Sequence, residues 1–278
     1  MKKVALITGA SSGIGLDTAL QLLKLGYIVY GAARRTELMK QIEEEGGHCV
    51  FLDLTDDSSI AKCVETVIQN EGQIDVLVNN AGYATGGALE ENSIEDAKRQ
   101  FDVNVFGLIR ITQLCLPLMR KQHSGRIINI SSMAGLFSSP FLGWYHAAKY
   151  SVEALSDSLR NEIKTFNIKV CIVEPGLIKT NWGIIAGNAI QKTSGTGPYS
   201  DSANLYANFY KKHYNEHANI SDPSVISKAI IKAITAKRPK VRYRTGKYSH
   251  RFVMLKRILT DRVFDFSSDF MIKLLGKN

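Results

Sequence analysis

Cysteine is sparse in this 278-residue chain, and the four present, Cys49, Cys63, Cys115 and Cys171, stand far apart. No CxxC pair and no Cys/His cluster occurs, so neither a disulfide framework nor a zinc site is indicated and no metal is expected. Isolated thiols fit a reducing, cytoplasmic compartment. No run of 18 apolar residues occurs, so no spanning helix is expected. The N-terminal apolar run stops at Gly9 and enters a glycine-rich turn, which makes it a first strand rather than a secretory signal. Net charge is absent from residues 1–236, which hold 23 Lys/Arg and 23 Asp/Glu. The formal +9 of the chain lies in residues 237–278, with 12 Lys/Arg against 3 Asp/Glu.

Apolar runs alternate with helical periodicity along most of the chain. Val4–Thr8, Tyr27–Ala33, Cys49–Leu54, Ile74–Asn79, Arg126–Ser131 and Ile168–Glu174 read as strands, with Val241–Arg244 as a last one. Gly15–Leu25, Ser58–Asn70, Ile94–Lys121, Tyr145–Phe166 and a segment from Asp222-Pro223-Ser224 to Ala236 read as helices. Pro117 falls near the end of its helix, where it is tolerated. Near-continuous apolar strands between helices predict a parallel sheet covered on both faces, a doubly wound α/β fold. With no repeat and no low-complexity linker, residues 1–278 read as one domain. Residues 183–221, rich in Gly, Ser, Asn and Tyr, form either a lid over a pocket or a surface excursion. In the basic extension 245–278 and just before Leu274, the residues Phe252, Leu255, Leu259, Val263, Phe266 and Phe270 recur with it at spacings of three and four, an apolar helical stripe.

Two groups of residues carry chemistry. Glycines 9, 13 and 15 allow a tight turn, close backbone approach to a pyrophosphate and tight helix–strand packing. Phosphates would meet N–H groups at the start of the following helix. The turn lacks the Lys-Ser/Thr of a P-loop, which excludes that class of nucleotide site. The second group is Tyr145 and Lys149, thirteen and seventeen residues after Ser132. Positions i and i+4 share a helix face. An ammonium beneath a phenol lowers a pKa that is ordinarily near ~10.

With Asn79-Asn80-Ala81-Gly82, Asn104, Ser132, Tyr145, Lys149 and Pro175-Gly176 in this order, the chain resembles the short-chain dehydrogenase/reductase family over residues 1 to about 182 and more loosely beyond. Its neighbourhood is similar to steroid- and retinoid-type dehydrogenases. The resemblance implies a Rossmann-type seven-stranded sheet and assigns Asn104, Ser132, Tyr145 and Lys149 to the catalytic positions. It also implies a cofactor wall of Gly9, Ser11, Ser12, Gly13, Ile14, Gly15, Asp53, Leu54, Asn80, Ala81, Gly82, Tyr145, Lys149, Pro175, Gly176, Ile178 and Thr180. The second strand ends Ala33-Arg34-Arg35 where NAD enzymes carry Asp, so Arg34 points to the 2′-phosphate of NADP. The expected reaction moves a hydride between NADP(H) and a lipophilic ketone, aldehyde or secondary alcohol, with Tyr145 as general acid/base.

Several alternatives stay open at this stage. Ser131 adjoins Ser132, and only spacing selects the latter. Asn104 either holds a water beside Lys149 or bridges backbone groups in a helix kink. His146 is structural or substrate-lining, because i and i+1 do not share a helix face. Asp53 meets the adenine or caps a strand end. Phe137, Phe141 and Trp182 are the expected substrate residues, with Tyr206, Phe209, Tyr210 and Tyr214 closing the pocket or packing the core. The basic C-terminal stripe packs on the domain, meets an anionic membrane or, least in keeping with the absent recognition motif, binds nucleic acid. By resemblance, helices 94–121 and 145–166 pair subunits in a homodimer or homotetramer. The competing functions are a non-catalytic NADP(H) sensor and a membrane-associated adaptor on the same fold.

Overall fold

A computed structural model describes residues 2–214 and 219–276. Seven strands form one sheet in the order β3-β2-β1-β4-β5-β6-β7: β1 Val4–Thr8, β2 Ile28–Ala33, β3 His48–Phe51, β4 Val76–Asn79, β5 Gly125–Ile130, β6 Ile168–Pro175 and β7 Arg242–Thr245. All neighbouring strands pair in parallel. This is the Rossmann-type α/β fold expected from the alternation of apolar runs.

Successive residues of a strand face opposite sides of a sheet, and β1 uses both. Ala5 and Ile7 pack with Leu22 of α1 (Gly13–Lys24), Ile42 of α2 (Lys40–Glu44), and Ile226 and Ile230 of α9 (Pro223–Thr235). Val4 and Leu6 pack with Val64 of α3 (Asp57–Glu71) and with Ile111 and Cys115 of α5 (Leu108–Lys121). Leu6 is fully buried, so Leu6→Ala is expected to cost ~2–5 kcal/mol, measured by urea unfolding.

The expected helix 94–121 is continuous but not uniform. It runs from α4 (Ile94–Phe101) through a π-helical stretch, Asp102–Gly107, into α5. By length and composition alone it is apolar enough to cross a bilayer. Its apolar side chains Leu108, Ile111, Cys115 and Met119 are instead buried in the core. The catalytic-motif helix α6 spans Gly143–Glu162 and closes on a 3-10 turn at Lys164–Phe166.

Two stretches of the C-terminal third take forms that the sequence left open. The segment at 183–221, read as a lid or a surface excursion, is largely helical: it holds α7 (Trp182–Ser194) and α8 (Ser200–His213), apart from residues 215–218, which lie outside the described residues. A Cβ at Gly183 would collide with the Tyr214 ring, and one at Gly187 would lie 2.8 Å from the Ala207 carbonyl. Composition that looks loop-like therefore allows two helices to pack closely. The apolar stripe is divided between α10 (Ser249–Ile258) and α11 (Asp261–Gly276). Its members Leu255, Val263, Phe266 and Phe270 are exposed, whereas Val253, Phe264 and Ile272 are buried. The break at Leu259-Thr260 resets the helical phase, so another set of residues meets the domain. The side chain of Leu274 lies outside the described residues.

Candidate active site

The strand order reverses between β1 and β4, and open α/β sheets bind ligands beyond the carboxyl ends of the strands at such a point. The glycine turn after β1 and Asn80-Ala81-Gly82 after β4 meet there. Asn80 Nδ2 donates to the carbonyls of Thr8 and Gly9 at 3.0 and 3.1 Å. Thr8 Oγ1 accepts from the N–H groups of Asn80 and Ala81, both at 3.0 Å. Gly9 has φ +67, and a Cβ on it would stand 2.8 Å from Ala81 Cα. Gly13 has φ +55, and its Cβ would reach Thr180 Cγ2 at 3.3 Å. Ser12 precedes α1 without a side-chain capping bond, so the first N–H groups of the helix remain available. This glycine-lined cradle beside a helix start fits the pyrophosphate of a dinucleotide.

One cavity of about 760 Å³ runs from this cradle to the C-terminal helices. Its wall includes Gly9, Ser11, Ser12, Gly13, Ile14, Arg34, Asp53, Leu54, Asn80, Ala81, Gly82, Ser132, Tyr145, Lys149, Pro175, Gly176, Ile178 and Thr180. Arg34 and Arg35 are exposed at its rim and pair with no carboxylate among the described residues. Asp53 Oδ1 accepts from Thr55 N–H at 3.0 Å and its hydroxyl at 2.8 Å, so this carboxylate caps the turn after β3 while facing the cavity.

Three expected residues lie behind the wall. Gly15 packs against Gly9 and Asn80, where a Cβ would collide with the Gly9 carbonyl. Asn104, in the π-helical stretch, accepts from Tyr83 N–H at 3.2 Å and donates to Tyr83 O at 3.0 Å, bridging backbone as the second of its two readings had it. Gln100 does the same, accepting from Thr85 N–H at 2.6 Å and donating to Tyr83 O at 2.7 Å; no sequence signal marked it. Phe141, expected at the substrate end, instead packs its ring 5.2 Å from Tyr206.

At the centre of the cavity Tyr145 is buried, with Ser132 beside it on the wall and favouring its ionised form. Ser131, the competing serine, turns its hydroxyl toward Glu153. Lys149 Nζ donates to Ile130 O at 2.8 Å and lies 5.9 Å from the Tyr145 ring centroid. The expected lowering of the Tyr145 pKa does not hold in this environment. Burial pushes the phenol up, against the effect of Ser132, and Tyr210 nearby pushes it further. Burial also lowers Lys149 to about 8, opposed by the charge of Glu153 one turn on.

His146 Nδ1 lies 2.9 Å from Ala134 O, so it carries the proton, and Nε2 accepts from Ser139 N–H at 3.1 Å and Oγ at 2.9 Å. Burial holds its pKa down. Both nitrogens are occupied, and the ring fixes the 134–139 loop.

Beneath Lys149 lies an ion network. Arg242 of β7 reaches Glu153 at 3.1 Å, Asp157 at 2.6 Å and Glu174 at 3.2 Å; Arg244 reaches Glu174 at 2.6 Å. Glu174 is fully buried and directly precedes Pro175-Gly176. Burial raises the Glu153 pKa.

The far end of the cavity is aromatic. Trp182 lies 5.0 Å from Tyr145, 6.0 Å from Tyr210 and 5.5 Å from Tyr214, centroid to centroid. Phe137 stacks on Phe252 at 5.6 Å. Phe209, Tyr210 and Tyr214 join this wall, while Tyr206 packs behind it with Phe141. His213, Tyr248, Ser268 and Ile272 also line it and were not foreseen. His213 lies in the segment read as a lid or surface excursion, and the other three lie in the extension read for its charge and apolar stripe.

Known proteins are similar to this chain in sequence and fold. A family model described as short chain dehydrogenase matches residues 3–186. The 3-ketodihydrosphingosine reductase of Bacteroides thetaiotaomicron is 38% identical over 88% of this chain and 88% of its own length. The NADPH-dependent 3-dehydrocapnine reductase of Ornithobacterium rhinotracheale is 35% identical over 95% of each chain. The crystal structure of a short-chain dehydrogenase from Streptomyces avermitilis superposes with a TM-score of 0.79 at 32% identity, covering 91% of each chain.

Proposed function

The chain belongs to the short-chain dehydrogenase/reductase family, a family of nicotinamide-dependent oxidoreductases, and from that premise we propose that it is an NADP(H)-dependent reductase of a lipophilic, lipid-like ketone. The observation that carries this reading is one cavity with Arg34 at its phosphate end, Ser132, Tyr145 and Lys149 at its centre and aromatic side chains beyond. The names of two relatives, a 3-ketodihydrosphingosine reductase and an NADPH-dependent 3-dehydrocapnine reductase, support both the ketone and the cofactor.

NADPH, when bound, supplies the hydride. The chain's own residues handle the proton. Burial keeps Tyr145 protonated at neutral pH, which is the state a general acid needs. Its hydroxyl gives the proton to the developing alkoxide, and Ser132 stabilises that oxygen by hydrogen bonding. The Lys149 ammonium, held by Ile130 O and favoured by Glu153, stabilises the phenolate left behind. Asn104 fixes the loop that carries the cofactor wall, and a water on its amide would resupply the proton.

Lys149 keeps its charge only below a pKa of about 8. Reductive kcat/KM is therefore expected to fall as pH rises through about 8, read from a pH–rate profile. A flat profile to pH 10 counts against this role of Lys149. Arg34→Asp is expected to weaken NADPH relative to NADH by roughly 10–100-fold, measured by fluorescence titration; an unchanged ratio removes Arg34 as the 2′-phosphate contact.

The test of the whole reading is NADPH consumption with long-chain aliphatic ketones, amino ketones among them, against short-chain ketones. Turnover that rises with chain length supports it. Tight NADPH binding without turnover on any member favours a sensor. The same reading takes the helical region 94–121 and α6 as subunit contacts, supported by exposed Ile94 on α4, Phe106 in the π-helical stretch, and Tyr150 and Leu155 on α6.

A further inference from the structure

The C-terminal helices carry apolar side chains on two opposite faces. On α11, Phe264 and Ile272 are buried against the domain, while Val263, Phe266 and Phe270 stand on the far side at 48, 74 and 59% exposure. At 3.6 residues per turn, i, i+3 and i+7 form one ridge. Phe266 and Phe270 stack on each other, with centroids 6.4 Å apart. On α10, Val253 is buried, and Met254, Leu255 and Ile258 are exposed at 58, 42 and 69%. Single exposed apolar residues are ordinary; six within seventeen positions on the outer faces of two joined helices mark an interaction surface.

Charge identifies the partner. Arg251 lies three, four and seven residues before Met254, Leu255 and Ile258, on the same face of α10. Arg257 and Arg262 are exposed beside the ridges. Asp261, Asp265 and Asp269 form a separate stripe at i, i+4 and i+8, turned from the ridge of Val263, Phe266 and Phe270. Residues 249–276 carry five Lys/Arg against three Asp/Glu, a net of +2, so a second copy would set like charges against each other. A negatively charged bilayer complements it and accepts aromatic side chains at its interface.

We propose that α10 and α11 seat the protein on an anionic membrane surface, with Met254, Ile258, Phe266 and Phe270 entering the interface and Arg251, Arg257 and Arg262 meeting lipid phosphates. The same two helices contribute Tyr248, at the start of α10, Phe252, Ser268 and Ile272 to the cavity wall, so the docked surface and the substrate end share a structural element. The proposal does not depend on the identity of the substrate, and its test involves no turnover.

The test is co-sedimentation of the full-length protein with vesicles of phosphatidylcholine alone or mixed about equally with phosphatidylglycerol. Binding is expected only to the mixed vesicles, decreasing as salt screens the charge. Phe266→Ser with Phe270→Ser, and separately Arg251→Ser with Arg257→Ser, are expected to reduce binding at least about tenfold while thermal unfolding stays unchanged. Ile258→Ser provides an independent probe on α10 and is expected to weaken binding in the same direction. Equal binding to neutral vesicles, or no vesicle binding by the parent protein, overturns the proposal. So does dissociation of an oligomer by Phe266→Ser/Phe270→Ser with vesicle binding intact, which would assign the face to a second copy.

Discussion

Tyr145→Phe is expected to reduce ketone reduction by about 10²–10⁴-fold, with NADPH affinity essentially unchanged. The substitution removes one hydroxyl and keeps the ring that packs against Trp182 at 5.0 Å. What disappears is the proton donor beside Ser132. The ring position beside the cradle is retained, so cofactor titration provides the internal control. Single-turnover kinetics separate the chemical step from binding. A variant with parental turnover sinks Tyr145 as the acid. A variant that loses NADPH affinity in proportion to rate would make the hydroxyl a binding group rather than a proton donor.

Arg242→Met is expected to destabilise the fold by about 3 kcal/mol, the lower end of the range for leaving a buried carboxylate without its partner. The lower end applies because the Arg242 side chain is 31% exposed and Arg244 still pairs with Glu174. The stranded group is Glu153, whose side chain is only 8% exposed. Urea unfolding should show a lower midpoint with an unchanged slope. The pH dependence has a definite sign. Burial already raises the Glu153 pKa in the folded state, so the folded protein holds a proton there that the unfolded chain releases. The charged form is thus the costly one, and the deficit of the variant should shrink as pH falls through that raised pKa. Arg242→Met with Glu153→Gln should recover part of the loss. A variant of parental stability at neutral pH would mean that solvent reaches Glu153.

Much of this architecture is legible in the sequence because it rests on short-range rules. Buried strands such as Val4–Thr8 need continuous apolar side chains, and a phosphate cradle needs glycine where φ is positive. The pairing of Tyr145 with Lys149 is legible because an i, i+4 spacing fixes a shared helix face. What escaped depends on three-dimensional context. The order of the Tyr145 and Lys149 titrations reverses because burial, which spacing does not encode, outweighs proximity. Asn104 and Gln100 act on the Tyr83 backbone, a partner that neither helix period nor motif identifies. Residues 183–221 look loop-like because Gly183 and Gly187 serve helix contact. Whether the last stripe faces the domain or the surroundings stayed open, because the break at Leu259 and Thr260 between α10 and α11 is not marked by the spacing.

The cavity is also divided along the chain. The family match ends at residue 186, which takes in the glycine cradle, Arg34, Ser132, Tyr145 and Lys149. Phe209, Tyr210, His213, Tyr214, Tyr248, Phe252, Ser268 and Ile272, which complete the aromatic end, all come later in the chain. The earlier part of the chain thus builds the cradle and the later part completes the aromatic end, two successive modules of one seven-stranded fold. A chimaera that exchanges the later module between relatives should redirect the substrate while inheriting the nicotinamide preference of the first. The graft has a seam to respect: Arg242 and Arg244 belong to the later module, and their carboxylate partners Glu153, Asp157 and Glu174 to the earlier one. Recombination that ignores this pairing would leave buried acids unmatched and would fail in folding before specificity was ever measured.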